Sequence, residues 1–118
     1  MFEAQGVEVD AARRLAWLNG EPLSLTAKEF DLLHALVRNA GRLVTREQLM
    51  HEVWQTTFWT STKTIDVHVG WLRRKLGDHA DNPRYITTVR GQGLRFETSP
   101  PASFEDSKEG AGTNTNVR

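Results

Sequence analysis

Residues 61–97 read STKTIDVHVGWLRRKLGDHADNPRYITTVRGQGLRFE, and the order of elements within them decides the fold. From about Thr62 to Leu76, Ile65, Val69, Leu72 and Leu76 recur at helical spacing, within a narrow arc at about 100° per residue. Gly77 stops this capped helix. Its opposite face carries Lys63, Val67, Gly70 and Arg74, flanked by Thr64 and Trp71. After the polar link Asp81-Asn82-Pro83, the runs Tyr85–Val89 and Leu94–Glu97 bracket Arg90-Gly91-Gln92-Gly93. This is a hairpin with glycine-permitted turn geometry and an arginine at its tip. A helix fits the major groove of DNA, and a hairpin arginine can reach the narrow neighbouring groove. Two such heads in succession suggest a helix and a wing that read DNA.

Upstream, the pattern is a small antiparallel sheet followed by two helices. Val7 and Val9 alternate with Glu8 and Asp10, and Leu15 and Trp17 with Arg14 and Ala16. Asn19-Gly20 is a pair preferred in tight hairpins and leads into Leu23 and Leu25. Thr26 and Glu29 form a capping-box pattern ahead of an apolar stripe of Phe30, Leu33, Leu36 and Val37, with Gly41 as a left-handed stop. Thr45 and Gln48 repeat the device for a second helix with Leu49, Met50 and Val53 on its buried side and Trp54 at its end. Gln55-Thr56-Thr57-Phe58-Trp59-Thr60 is too short and aperiodic to be an element and reads as the loop between the second and third helices. The fold class is therefore α+β: an N-terminal antiparallel sheet, three helices and a C-terminal hairpin, in one domain over residues 1–97. Residues 98–118, rich in Ser, Pro, Gly, Thr, Asn and charge, bury too little to offset their ordering entropy and are expected to be a disordered tail.

The chain of 118 residues can bury a core without disulfide or metal, and it has no cysteine for either a disulfide or a thiolate zinc site. That suits a reducing cytoplasm. No apolar run approaches a membrane span. Net charge is zero, but its distribution is uneven. Residues 61–97 hold seven basic side chains (Lys63, Arg73, Arg74, Lys75, Arg84, Arg90, Arg95) against four acidic, a net of +3. Residues 1–25 hold two basic against four acidic. Local potential steers a polyanion more than the sum does.

Six blocks then coincide with a known family. Leu25-Thr26-Ala27-Lys28-Glu29-Phe30, Gly41-Arg42-Leu43-Val44-Thr45-Arg46, Val53-Trp54, Lys63-Thr64-Ile65-Asp66-Val67-His68-Val69, Leu72-Arg73-Arg74-Lys75-Leu76 and Thr88-Val89-Arg90-Gly91-Gln92-Gly93 follow one another in its order. Over about residues 7–97 the chain resembles the winged-helix output domains of OmpR/PhoB-type bacterial response regulators. The resemblance implies an N-terminal sheet of four strands, so residues 2–6 or 11–12 should hold a fourth. It implies the third helix in the major groove, dimers on direct repeats of double-stranded DNA, and a loop, Gln55–Thr60, that often contacts RNA polymerase. It also implies a cytoplasmic protein with no cofactor and an upstream receiver domain phosphorylated on aspartate. No receiver is present here, so an excised output domain is favoured over a standalone regulator.

Individual residues carry two readings each. Arg46 opens the second helix, where arginine and free N–H groups can both hold a phosphate; a solvated charge is the plainer reading. Trp54 can donate its indole N–H to a phosphate while its ring packs inside. Lys63, Thr64, Val67, Gly70, Trp71 and Arg74 are expected to meet bases and phosphates, Val67 against a thymine methyl. Well-known members of the family carry two arginines where this chain has Gly70 and Trp71, so its specificity must differ. Trp71 stacks on sugar edges or thymine methyls, or packs against Phe58-Trp59, with packing slightly favoured. Gly70 costs the helix roughly 1 kcal/mol relative to alanine, which close approach to the DNA backbone would explain. His68 and Arg73 flank the face as phosphate neutralisers, and Lys75 reads as an ordinary exposed lysine. Arg90 is assigned to the minor groove with Thr88 beside it, against a salt bridge to Asp66 or Asp78. Phe58 and Trp59 are either buried under the third helix or exposed for polymerase.

An enzyme is disfavoured. His51-Glu52 begins like a zinc-protease helix, but Gln55 stands where the second histidine would be needed, and no metal site or Ser/His/Asp set is discernible. The competing function is a winged helix repurposed for protein interaction, which would explain the zero net charge but not Lys63, Arg74 and Arg90.

Overall fold

The computed structural model describes residues 1–55 and 63–100. Residues 56–62 and 101–118 lie outside them, and with them most of the helix 2–3 loop and of the expected tail.

The N-terminal sheet has four antiparallel strands in sequence order: β1 (Phe2–Ala4), β2 (Val7–Asp10), β3 (Leu15–Leu18) and β4 (Glu21–Pro22). Alternation in β2 sends Val7 and Val9 into the core and leaves Glu8 and Asp10 toward solvent. The strand sought within residues 2–6 is β1, paired Phe2 to Val9 and Ala4 to Val7. Both two-residue turns have positive φ at each position, Gln5 (52°) with Gly6 (81°) and Asn19 (51°) with Gly20 (86°), the geometry of a type I′ hairpin. The two turns touch: the Asn19 N–H donates to the Gly6 carbonyl at 2.8 Å, and a Cβ on Gly6 would lie 2.1 Å from Asn19 Oδ1. The strand after Asn19-Gly20 is shorter than expected. Pro22 lies opposite Trp17, the Leu23 N–H still reaches the Ala16 carbonyl at 2.9 Å, and Leu23 and Leu25 pack, partly buried, on the core.

The capping boxes set both early helices. In α1 (Ala27–Arg38) the Glu29 N–H donates to Thr26 Oγ1 at 3.2 Å and the Thr26 N–H to Glu29 Oε1 at 2.9 Å. In α2 (Arg46–Val53) Thr45 and Gln48 do the same at 3.0 and 2.9 Å. Gly41, at φ +86°, turns the chain after α1 and donates its N–H to the Phe96 carbonyl at 2.8 Å. Between the helices, Leu43–Val44 forms a strand that sequence reading does not find, β5.

The third helix, α3, spans Lys63–Leu76 among the described residues. Gly77 ends it at φ +71°: its N–H reaches the Arg74 carbonyl at 3.2 Å and the Asp78 N–H the Arg73 carbonyl at 2.8 Å. That double closure is a Schellman motif. The wing is β6 (Ile86–Val89) and β7 (Gly93–Phe96), and β5 joins it in a three-stranded sheet of order β5-β7-β6. Its tip is a turn closed by the Gln92 N–H on the Val89 carbonyl at 2.9 Å, with Gly91 at the positive φ (75°) that a type II turn requires. Gly93 has a different reason to be glycine: a Cβ there would stand 2.2 Å from the Val44 carbonyl oxygen of β5.

The core joins Leu32, Leu33 and Leu36 of α1 to Leu49 of α2, Ile65 and Leu72 of α3, Ile86, Leu94 and Phe96 of the wing sheet, and Val7 and Val9 of the first sheet. Gln5 ties the two sheets together, its Nε2 donating to the carbonyls of Arg84 (2.7 Å) and Glu97 (2.9 Å) at the wing base. Among the described residues no helix is long and apolar enough to cross a membrane.

Candidate nucleic-acid interface

The arc that buries Ile65, Val69, Leu72 and Leu76 leaves the rest of α3 outward. Lys63, Val67, Gly70, Trp71 and Arg74 are exposed, and Thr64 and His68 half-buried. Two large apolar side chains stand in this charged face: Val67 is 45% exposed and Trp71 42%. Gly70 faces open space, with nothing within 4 Å of where a Cβ would be. The fold itself therefore does not require glycine there.

Trp71 is held from below. Its ring lies 4.9 Å from the His68 ring, which in turn meets the Trp54 ring edge-on at 5.1 Å. His68 Nδ1 lies 2.8 Å from the Thr64 carbonyl oxygen, which fixes the imidazole between the two indoles. The expected packing of Trp71 thus has a partner on its own helix. Phe58 and Trp59 lie outside the described residues, so both readings of that loop and the expected Trp71 contact with it stay proposals. Of the loop, only Gln55 is described; it is exposed with φ 53°.

Two expectations are corrected by where the donors go, and a third side chain is already engaged. Arg73 does not stand free beside the face. Its side chain is mostly buried, and Nη2 donates to the Ile86 carbonyl (2.7 Å) and to Thr88 Oγ1 (3.2 Å), which ties α3 to β6. Burial pulls its pKa below the ordinary arginine range, against the opposing pull of Asp78 and Asp66. Lys75 is not an ordinary exposed lysine: Nζ donates to buried Glu29 Oε1 (2.6 Å) and to the Ser24 carbonyl (2.7 Å), joining α3 to the α1 cap. Arg46, at the first position of α2, is paired with Asp66 of α3 at 3.0 Å and is only 20% exposed. A phosphate at that helix start would have to share its guanidinium with Asp66.

Arg90 is exposed at the wing tip and makes no ion pair among the described residues. The alternatives considered for it are occupied: Asp66 by Arg46, and Asp78 by the chain itself. The Asp78 side chain is fully buried; its oxygens accept the N–H groups of Arg84 (2.7 Å), Tyr85 (3.3 Å) and Ile86 (2.9 Å), with Arg73 Nε at 3.9 Å. Asp78 thus anchors the wing to the end of α3. Sequence reading missed it because Asp after a helix-ending Gly is ordinary until the strand it holds is in place.

The remaining histidine of interest, His34, sits away from this face between Phe2 (5.6 Å) and Phe30 (6.1 Å). Burial and neighbouring Arg38 push its pKa down, which disfavours the charged ring there. Among the described residues no group of His, Asp and Glu is arranged to hold a metal ion.

A sheet, three helices with the third exposed, and a hairpin beside it make a winged-helix domain. The family model described as "Transcriptional regulatory protein, C terminal" matches residues 20–96, and the chain belongs to that family, the OmpR/PhoB type. It is 46% identical over 97 residues to the sensory transduction protein RegX3 of Mycolicibacterium smegmatis, covering 82% of this chain and 42% of RegX3. It is 41% identical over 93 residues to the regulatory protein VanR of Enterococcus faecium, covering 78% of this chain and 40% of VanR. The chain thus spans less than half the length of these relatives. Among solved structures it superposes on the Klebsiella pneumoniae RstA DNA-binding domain in complex with the RstA box (TM-score 0.74, 32% identity, 83% of this chain and 95% of that one). The DNA-binding domain of CpxR from E. coli matches with TM-score 0.72 and 34% identity over 82% of this chain and 95% of that one.

Proposed function

We propose that this domain binds double-stranded DNA sequence-specifically as the output domain of a two-component transcription regulator. The observation that carries the reading is the exposed strip Lys63–Val67–Gly70–Trp71–Arg74 on α3, beside a wing whose exposed tip is Arg90. The strip enters the major groove and Arg90 the minor groove. Thr64, His68 and the Trp54 indole border the strip and reach the backbone, and Arg46 joins them at the α2 N-terminus by sharing its guanidinium. Arg73 acts from behind, bracing the wing against the helix, and exposed Thr88, which accepts from Arg73, stands beside Arg90 on the DNA side. The relatives' names support the regulatory role, and the RstA domain, solved in complex with the RstA box, supports DNA as ligand.

The finer parts of the reading are proposals of the same kind: direct-repeat operators, the Gln55–Thr60 loop as a contact for RNA polymerase, a receiver domain elsewhere in the regulator, a bacterial cytoplasmic setting at the nucleoid, and no catalytic activity. Residues 1–97 are the binding unit and 98–118 a tail outside it.

Selection from a random duplex pool, with affinity followed at low and moderate salt, tests the reading. The expected result is a repeated enriched motif whose binding weakens steeply with salt, because each neutralised phosphate releases counterions. No enrichment and a flat salt response would overturn it in favour of an apolar protein partner on the Val67–Trp71 surface.

A further inference from the structure

We propose that Trp71 is the specificity-determining residue of the recognition helix and that it reads the C5-methyl group of thymine by apolar contact. The inference rests on the DNA-binding reading above and goes beyond it by naming the chemical group read.

Exposed Trp71 and Val67, one turn apart on the same face, gain free energy when something apolar covers them together. Trp71 is exposed over two fifths of its surface and yet is not loose: His68 supports one side of the ring, and Trp54 and the Thr64 carbonyl hold His68. The ring is a fixed apolar plate. Its only polar atom is a single N–H donor, so it cannot form the two-pronged contact with which arginine selects guanine. Exposed Arg74 stands about one turn from the plate and exposed Lys63 about two turns away on the same helix, with exposed Arg90 on the adjoining wing. The covering group must therefore be apolar and must belong to a polyanion. In the major groove of DNA only thymine offers such a group at a base edge, its methyl. Gly70 adds the room: next to Trp71 the helix surface has no side chain, and open space lies where one would be. A base edge can come down beside the indole there without meeting a Cβ.

The test removes the methyl from the DNA and leaves the protein fold untouched. In the operator obtained by selection, each thymine under α3 is replaced singly by deoxyuridine, and affinity is measured for the wild-type domain and for Trp71→Ala. The expected result is a loss of about three- to fivefold at one or two positions, the scale of one buried methyl. That loss should disappear in Trp71→Ala, while Trp71→Arg should shift the selected base at the same position toward guanine. Because Trp71 lies on the surface, thermal unfolding of each variant should stay near that of the wild type. Deoxyuridine without effect at every position, a penalty that survives Trp71→Ala, or a selected operator with no thymine under α3 would each overturn the inference. All three leave DNA binding standing, whereas failure to select any operator would overturn the underlying reading.

Discussion

Replacing Asp78 by alanine tests whether the wing is held by one buried carboxylate. Its side chain is inaccessible to solvent, and it accepts N–H groups at 2.7 Å from Arg84 and 2.9 Å from Ile86, with a weaker one at 3.3 Å from Tyr85. A hydrogen bond to a charged group contributes about 1.5–3 kcal/mol, and a stranded buried donor costs a similar amount. Counting the two short bonds at the lower end and the long one as minor, the loss is about 3–4 kcal/mol. That is a large share of the roughly 5–15 kcal/mol that holds a domain of this size. The Arg73 guanidinium, 3.9 Å away through Nε, also loses its nearest countercharge. Urea unfolding at pH 7 followed by tryptophan fluorescence reads the effect as a lower midpoint at unchanged slope. Asp78→Asn keeps one accepting oxygen but presents an NH2 to the same donors, so it should fall between alanine and wild type. A cost under about 1 kcal/mol for Asp78→Ala would mean that the β6–β7 ladder holds the wing unaided, and the anchoring argument would be wrong.

Gly70→Ala should stabilise the domain by about 1 kcal/mol, since alanine is the better helix former and the Cβ meets nothing. The same change should weaken operator binding; higher stability with unchanged affinity would show that DNA does not come close at this position. Glu29 is nearly inaccessible, and although burial alone would raise its pKa, the Lys75 and Thr26 hydrogen bonds outweigh it and hold the carboxyl below its ordinary range. The native state therefore binds fewer protons than the unfolded one across that range, so Glu29 contributes stability at neutral pH that is lost as pH falls through the native pKa. The stability gap between wild type and Glu29→Gln should then narrow from pH 7 to pH 3, and a gap that is constant with pH would refute the coupling. Arg90→Ala should lower operator affinity by about 1–3 kcal/mol, the scale of one good base contact, with no change in unfolding midpoint. Unchanged affinity and selectivity would remove the wing tip from the interface.

Where a structural feature is local, it was legible in the chain. Thr26 with Glu29, Thr45 with Gln48, Asn19-Gly20 and Gly77 each act within a few residues, and all four form the cap, turn or stop their spacing implies. The buried arc of α3 follows from period alone. What escaped is short or long-range. A two-residue strand such as Leu43–Val44 has no period to detect, and Gln5-Gly6 lacks the Asn or Asp that usually marks its turn type. The roles of Gln5, Arg73, Lys75 and Asp78 escaped the sequence because their partners lie on elements that only the fold brings near. Most of them are assembly residues, and for that reason a charge count overstates the number of cations facing a ligand.

Pairing nevertheless leaves the charge excess of residues 61–97 where it was, and concentrates it. Arg73 is taken by Asp78 and the wing, Lys75 by Glu29, and Arg95 by Glu97, while Asp66 is taken by Arg46. Across these four pairs the segment keeps its net of +3: Arg73–Asp78 and Arg95–Glu97 cancel within it, while Lys75 and Asp66 are offset from outside by Glu29 and Arg46. Arg84 lies over the Tyr85 ring at the wing base (5.7 Å), while Lys63 and Arg74 on the helix and Arg90 on the wing tip are exposed. Three cations are enough to orient a polyanion but carry little sequence information as phosphate contacts. Discrimination must then fall on what stands between them, and between them stand Val67, Gly70 and Trp71. On the proposed reading, a chain of zero net charge whose Arg46 and Arg73 are engaged in its own assembly would discriminate through methyl contact more than through phosphates.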